Sequence, residues 1–148
     1  MTCCVNPFNR RYLEESLGRE IARCQRRKLP LAVLMLDLDH FKAFNDQHGH
    51  PGGDALLSAF GRLLQSSCRP EDIACRYGGE EFVLVLPEAE AHIGMDRARY
   101  ILAATAQMVV AHMGRPMGRV TASIGVATMP DDGNNASTLL EVADRALY

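Results

Sequence analysis

Two groups of carboxylates carry the chemistry open to this chain. At 76–82 it reads Arg-Tyr-Gly-Gly-Glu-Glu-Phe, between the apolar runs 73–75 and 82–86. A Gly-Gly pair between two such runs predicts a two-residue hairpin turn, whose favoured form needs positive φ at both central positions. Glu80 and Glu81 then leave the turn together. Like charges so crowded cost free energy unless a cation neutralises them, and a hard metal ion suits carboxylate oxygens. Alone, the pattern also suits a solvated acidic hairpin tip. The second group is Asp37 and Asp39, which close the unbroken apolar run 31–36. That run is short, preceded by Pro30, and predicts a buried strand with acids at its C-terminal end. Ligands sit beyond strand ends in sheet-based folds. If the two strands are neighbours, carboxylates from both converge, as Mg²⁺–triphosphate chemistry requires.

Other residues near these groups have plain roles and chemical ones. Asp39, two positions beyond Asp37, would share its face if the strand continued; it also reads as a cap for the next segment. Lys42 would ordinarily face solvent, whereas beside a triphosphate it supplies a mobile point charge. Asn45 with Asp46 is an ordinary turn pattern, and Gly53 with Asp54 an ordinary helix start. Arg69-Pro-Glu-Asp72 is by itself a common surface pattern.

The elements that must position these groups follow from periodicity. Asn6 and Pro7 predict a helix start, with Phe8, Tyr12, Leu17, Ile21 and Cys24 as its stripe and 26–28 as its basic last turn. A strand at 31–37 and a short polar helix or loop through 45–49 precede a helix over 53–66. That helix carries Leu56, Leu57, Phe60, Leu63 and Leu64 on one side. After the hairpin, the pattern predicts a long helix over 91–113, a strand over 119–127 and a last helix from Ala136. Helices and strands in this order, with one antiparallel hairpin, make an α/β fold that is not a purely parallel sheet.

Composition narrows the function. The 148 residues make one domain with 47% hydrophobic and 23% charged residues, ordinary for a globular protein. A net charge of −2 and the absence of a basic run give no support to nucleic-acid binding. No apolar stretch is long enough for a membrane span, so no membrane contact is expected of this domain. The five cysteines are odd in number and lack a Cys-x-x-Cys pair, which predicts reduced thiols and a cytoplasmic setting.

Four blocks together settle on a resemblance. They are Asp-Leu-Asp-His-Phe-Lys at 37–42 with Asn45 and Asp54 following, the hairpin at 76–82, Ser-Ile-Gly-Val at 123–126, and Ala-Asp-Arg-Ala-Leu-Tyr at 143–148. In this order and spacing, from about Asn9 to the last residue, the chain resembles a GGDEF domain, the family of the diguanylate cyclases. The resemblance implies a palm-like mixed, partly antiparallel sheet flanked by helices, similar to nucleotidyl cyclases. It implies condensation of two GTP into cyclic di-GMP and two pyrophosphates, with Mg²⁺ (or Mn²⁺) as cofactor and a homodimer needed for turnover. Asp37 and the main-chain carbonyl of Leu38 correspond to metal ligands. Glu80 corresponds to a metal ligand that also deprotonates the attacking 3′-hydroxyl, and Glu81 to a weaker metal position. Phe41 and Lys42 match the phosphate cradle; Asn45 and Asp54 match guanine readers, with His50 a minor contact. Arg69 and Asp72 match the site at which cyclic di-GMP, as product, inhibits.

The family continues beyond this point with a Lys and an Arg that grip phosphates, so the sequence ending at Tyr148 reads as a domain cut from a longer protein at its last helix. The segment 2–8 departs from the family's acidic residue and Leu-Thr-Gly-Leu run. Two other readings share the motif: a GTP-binding regulatory module attached to an EAL-type phosphodiesterase, and a cyclic di-GMP receptor.

Overall fold

The computed structural model describes residues 10–147. The expected helix start at Asn6 and Pro7, with Phe8, lies outside the described residues. Helix α1 (Arg10–Arg27) buries Leu13, Leu17, Ile21 and Cys24, a stripe at helical spacing. It ends in paired main-chain bonds from Lys28 N–H to Gln25 O (3.1 Å) and from Leu29 N–H to Cys24 O (2.8 Å), with Lys28 at φ 56°. Those bonds satisfy carbonyls that the helix itself leaves without donors.

Strand β1 (Leu31–Leu38) lies inside a four-stranded sheet. The others are β2 (Ile73–Arg76), β3 (Glu81–Pro87) and β6 (Ala122–Met129), in the order β2-β3-β1-β6. All three pairings are antiparallel. Side chains alternate between faces, so a strand covered on both faces must be apolar throughout. Ala32, Leu34, Leu36 and Leu38 pack under α2 (Phe41–Ser66) and α3 (Ala91–Gln107). Leu31, Val33 and Met35 pack against α1 and α4 (Ala136–Arg145). Phe60 and Phe82 meet edge to face across the first of these layers, 5.1 Å between ring centroids.

The interrupted helix expected between 45 and 66 forms as two helical pieces meeting at Gly49, whose φ 77° and ψ 168° are open essentially only to glycine. Pro51 then stands in the first turn of the second piece, where its missing N–H costs little.

Three elements differ from the periodicity. The long helix stops at Gln107, because Met108 is already extended and β-branched Val109 and Val110 follow. Beyond it β4 (Ala111–His112) and β5 (Arg115–Pro116) form a small hairpin. Its turn residues Met113 (φ 53°) and Gly114 (φ 76°) are both left-handed, as a two-residue turn demands. The strand expected over 119–127 instead occupies 122–129, in register with all eight residues of β1. The turn at Gly78 and Gly79 is not the two-residue form, and neither glycine has positive φ. Arg76 pairs with Phe82, and the amides of Tyr77 and Gly78 both donate to the carbonyl of Glu81. The loop is therefore 78–80, and Glu80 belongs to it rather than to β3.

One substitution should act in opposite directions at two glycines. Gly49→Ala is expected to lower the unfolding free energy by about 1–3 kcal/mol, since it forces a side chain into a glycine-only conformation. Gly18→Ala, in the interior of α1 with open space around it, should raise it by roughly 0.5–1 kcal/mol. Urea unfolding of both variants checks this; effects of the same sign would contradict the role of Gly49 as the break in α2.

Candidate active site

Antiparallel pairing is what gathers the acids. Because β1 runs against both neighbours, its polar end meets the starts of β3 and β6: Asp37 stands opposite Glu81 on one side and Ser123 on the other. Asp37, Leu38 and Glu80 line a single cleft of about 350 Å³, with Asp39, His40, Ser123 and Leu147. The amide of Leu38 donates to the carbonyl of Glu80 at 3.4 Å, which ties the hairpin loop to the end of β1. Glu81 is placed differently from Glu80. Its side chain lines a neighbouring cleft of about 650 Å³ with Arg10, Glu14 and Tyr77. In that cleft Arg10 donates to the Tyr77 hydroxyl (2.9 Å) while its guanidinium lies 4.2 Å from the ring centroid.

Asp39 neither continues the strand nor caps α2. Its carboxylate accepts from Thr121 Oγ1 and Ser123 Oγ, both at 2.7 Å. The residue at the helix cap is His40, in left-handed conformation, and no side chain caps the first turn of α2. The amides at that end are therefore left without a side-chain acceptor.

A second group lies along α2. Asn45 folds over Gly53, where any Cβ would collide with Asn45 Oδ1 and press on the Phe41 ring. Gly53 thus lets the two pieces of α2 approach closely enough for Asn45 to stand beside the start of the second piece, next to Asp54. Asn45 Oδ1 is the only buried side-chain N or O atom among the described residues without a hydrogen-bond partner. Phe41 is half-buried, while Lys42, His50 and Asp54 are exposed on the same helix.

The Arg69–Asp72 pair lies at the far end of β2, about 13 Å of strand from the hairpin. Asp72 is fully buried. It accepts from the amide of Arg69 (2.8 Å), from Nε and Nη2 of Arg69 (3.1 and 2.8 Å) and from Arg97 Nη1 (2.9 Å). Arg69 Nη2 also donates to the carbonyl of Pro87 at 3.0 Å. Asp72 thus holds two guanidiniums in place, and Arg69, 36% exposed, presents the surface. Arg97 joins this cluster from α3; its helical position carries no sequence signal that would have found it.

The comparisons decide the family. The profile described as diguanylate cyclase, GGDEF domain, matches residues 6–148. The chain belongs to the GGDEF family. Response regulator PleD of Caulobacter vibrioides is 39% identical over 143 residues, 95% of this chain and 31% of that protein. Diguanylate cyclase A of Treponema denticola is 38% identical over 122 residues, 82% of this chain and 33% of that protein. The chain thus spans about a third of these relatives. Among solved structures, a sensory box/GGDEF family protein from Caulobacter crescentus superposes with TM-score 0.89 at 38% identity, covering 97% of this chain and 92% of the other. The GGDEF domain of DgcB from the same organism, solved in complex with c-di-GMP, gives 0.87 at 28% identity, covering 96% and 81%. Both are domains of the same kind, so the α/β fold with its antiparallel sheet is the family's. Among the described residues no helix is long and apolar enough to cross a membrane.

In this GGDEF domain Asp37 has the strongest electrostatic signature. Its pKa is pushed up to about 6, first by burial and then by the charges of Glu80, Glu81 and Asp39 and a hydrogen bond with Glu80. Desolvation and the surrounding negative charge both disfavour its ionised form. An unfolded Asp titrates near ~3.9, so the fold gains a proton relative to the unfolded chain between that pH and about 6. The ionised form accordingly destabilises the metal-free domain above pH 6, and the penalty fades as pH falls toward 4. Asp37→Asn should be more stable than wild type at pH 8 in the presence of a chelator, with the difference shrinking toward pH 4. Urea unfolding across this range measures it. An advantage independent of pH would show that Asp37 is not held in this electrostatic strain.

Proposed function

We propose that this domain condenses two GTP into cyclic di-GMP and two pyrophosphates. The observation that carries the reading is the Asp37–Glu80 pair, two carboxyl groups lining one cleft, with the Asp37 pKa raised by burial and by the charge of Glu80. Such a pair is costly alone and favourable around a cation. The GGDEF cyclases are metal-dependent, and the donors here are all hard oxygens, which suits Mg²⁺ (or Mn²⁺). Among the described residues no three His, Cys, Asp or Glu side chains form a ready cage. That fits an ion held by one or two carboxylates and completed by substrate phosphates. Asp37, Glu80 and the main-chain carbonyl of Leu38 would hold it, with Glu81 adjacent across the strand pair. When bound, the ion neutralises charge on the triphosphate and favours loss of pyrophosphate.

The chain's own residues supply the rest. Glu80, carried on a loop rather than within a strand, takes the proton of the 3′-hydroxyl as its oxygen bonds to the α-phosphorus of a second GTP. The bond from that phosphorus to the bridging oxygen breaks, and pyrophosphate leaves. The uncapped first turn of α2, with Phe41 at its start, offers amides to the phosphates, and Lys42 adds a charge from the exposed side. Guanine presents N1–H and an exocyclic amine, and Asp54 and Asn45 offer acceptors, with His50 at the rim. The unpartnered Asn45 Oδ1 supports this: a buried acceptor lacking a donor is completed by such a ligand. Each domain holds one GTP, so two domains must face each other for turnover. Arg69, held by Asp72, is the residue offered to cyclic di-GMP as product and inhibitor; DgcB's complex with c-di-GMP is consistent with such binding in the family. The setting is cytoplasmic, where GTP is available.

Calorimetry and turnover test the reading together. GTP should bind far more tightly than ATP, by ~10⁴ where a paired donor set meets matched acceptors, and Asp54→Ala should erode the preference. Glu80→Gln should abolish cyclic di-GMP synthesis under Mg²⁺ while leaving the fold intact. Arg69→Ala should weaken cyclic di-GMP binding while sparing GTP. Equal affinities for GTP and ATP, or undiminished synthesis by Glu80→Gln, would refute the assignment.

A further inference from the structure

Asp39 is the one acid of the cleft whose oxygens are both taken by neutral donors. Thr121 Oγ1 bonds Oδ2 and Ser123 Oγ bonds Oδ1, each at 2.7 Å, across sequence separations of 82 and 84 residues. The Asp39 amide adds a third link, to the carbonyl of Thr121 at 2.9 Å. The next residue, His40, is left-handed (φ 57°, ψ 33°), a conformation that side chains adopt only when their surroundings hold them there. Its carbonyl then accepts from Phe44 N–H at 3.0 Å and opens α2. Asp39 and His40 therefore make the sharp change of direction between β1 and α2, and the fixed side of that corner is β6.

We propose that Asp39 is a positioning residue for nucleotide binding rather than a ligand of the cation. Clamped by Thr121 and Ser123, it fixes the corner that sets the Leu38 carbonyl, on one side, against the first amides of α2 and Lys42, on the other. This rests on the function proposed above, since those groups are the ones assigned to cation and phosphates. The assignment follows from hydrogen-bond supply. A carboxylate that receives two short hydroxyl bonds and a main-chain tie is held in one rotamer, and its charge is satisfied without a metal. Among the described residues Asp37 has no such hydroxyl donors, and it stands in the same cleft as Glu80. The two acids of the Asp-Leu-Asp run are thus divided by Thr121 and Ser123, before and within β6: one is left in need of a cation, and the other holds the backbone in place.

The experiment compares wild type with Thr121→Ala/Ser123→Ala, Asp39→Ala, the triple variant, Ser123→Thr and Asp37→Asn. Three readouts are taken: the affinity of a non-hydrolysable GTP analogue with Mg²⁺, kcat and KM for cyclic di-GMP synthesis, and amide hydrogen exchange at 38–42 without ligand. Removing both hydroxyls should weaken the analogue and raise KM by about tenfold, the size seen when groups that orient ligands are lost, with kcat little changed. Exchange at 38–42 should quicken while the sheet core stays protected. The triple variant should be no worse than Asp39→Ala, because both changes break the same clamp. Ser123→Thr, which keeps the hydroxyl, should behave as wild type. Unchanged affinity and exchange after loss of the hydroxyls would overturn the proposal. So would Asp39→Ala matching Asp37→Asn, with kcat lost and KM kept, since that marks a direct ligand. A wild-type domain that binds no GTP analogue overturns the function itself, and is recognised because exchange at 38–42 still responds to the hydroxyls.

Discussion

Repulsion between carboxyl groups at the end of a doubly covered strand is the constraint on which the rest depends. β1 is apolar for six residues because helices bury both its faces, and it turns acidic where the cover ends. Antiparallel neighbours then bring Glu80, Glu81 and Ser123 to that same end. Burial and like charge together push the Asp37 pKa up to about 6. A carboxyl group so placed, in a cleft beside other acids, is a functional-site candidate. The scaffold can hold it because the run from Leu31 to Leu36 beneath, with Phe60 and Phe82, is apolar and buried.

Each neighbouring feature either adds to this strain or restrains it. The loop 78–80 places Glu80 outside β3, where the Leu38 amide ties it to the end of β1. The Asp39 clamp fixes the corner on the other side. The break at Gly49 lets the two pieces of α2 approach so that Asn45 meets Gly53. At the far end of β2, the buried Asp72 draws Arg69 and Arg97 together; removing such a carboxylate would leave two guanidiniums facing each other across its space. A short rigid strand separates this cluster from the hairpin.

Much of this was legible in the sequence, and the reasons are physical. An unbroken apolar run ending in acids admits few meanings, so β1 and Asp37 are readable at once. The helical stripes of α1 and α4 and the interruption near Gly49 follow from periodicity and from glycine and proline. The form of the Gly78–Gly79 turn was not legible, because loop length is set by the pairing of Arg76 with Phe82, a fact about register. The end of α3 was misjudged because apolar 108–113 fits a helix as well as a hairpin; Gly114, Pro116 and Gly118 were the available signals. Contacts across long separations left no trace at all. Neither the hydroxyls that hold Asp39 nor the burial of Asp72 beside Arg97 can be read from local pattern, and Arg69-Pro-Glu-Asp72 looks like surface until its partners are known.

We propose that the neighbours of Asp37 keep it partly protonated and that a divalent cation takes the place of the proton. Titrating Mn²⁺ into the nucleotide-free domain, calorimetrically and in buffers of different ionisation enthalpy, tests this directly. Near pH 6 ion binding should release protons, with the release fading toward pH 8 and absent in Asp37→Asn. Binding heats that are the same in every buffer at pH 6 would contradict it.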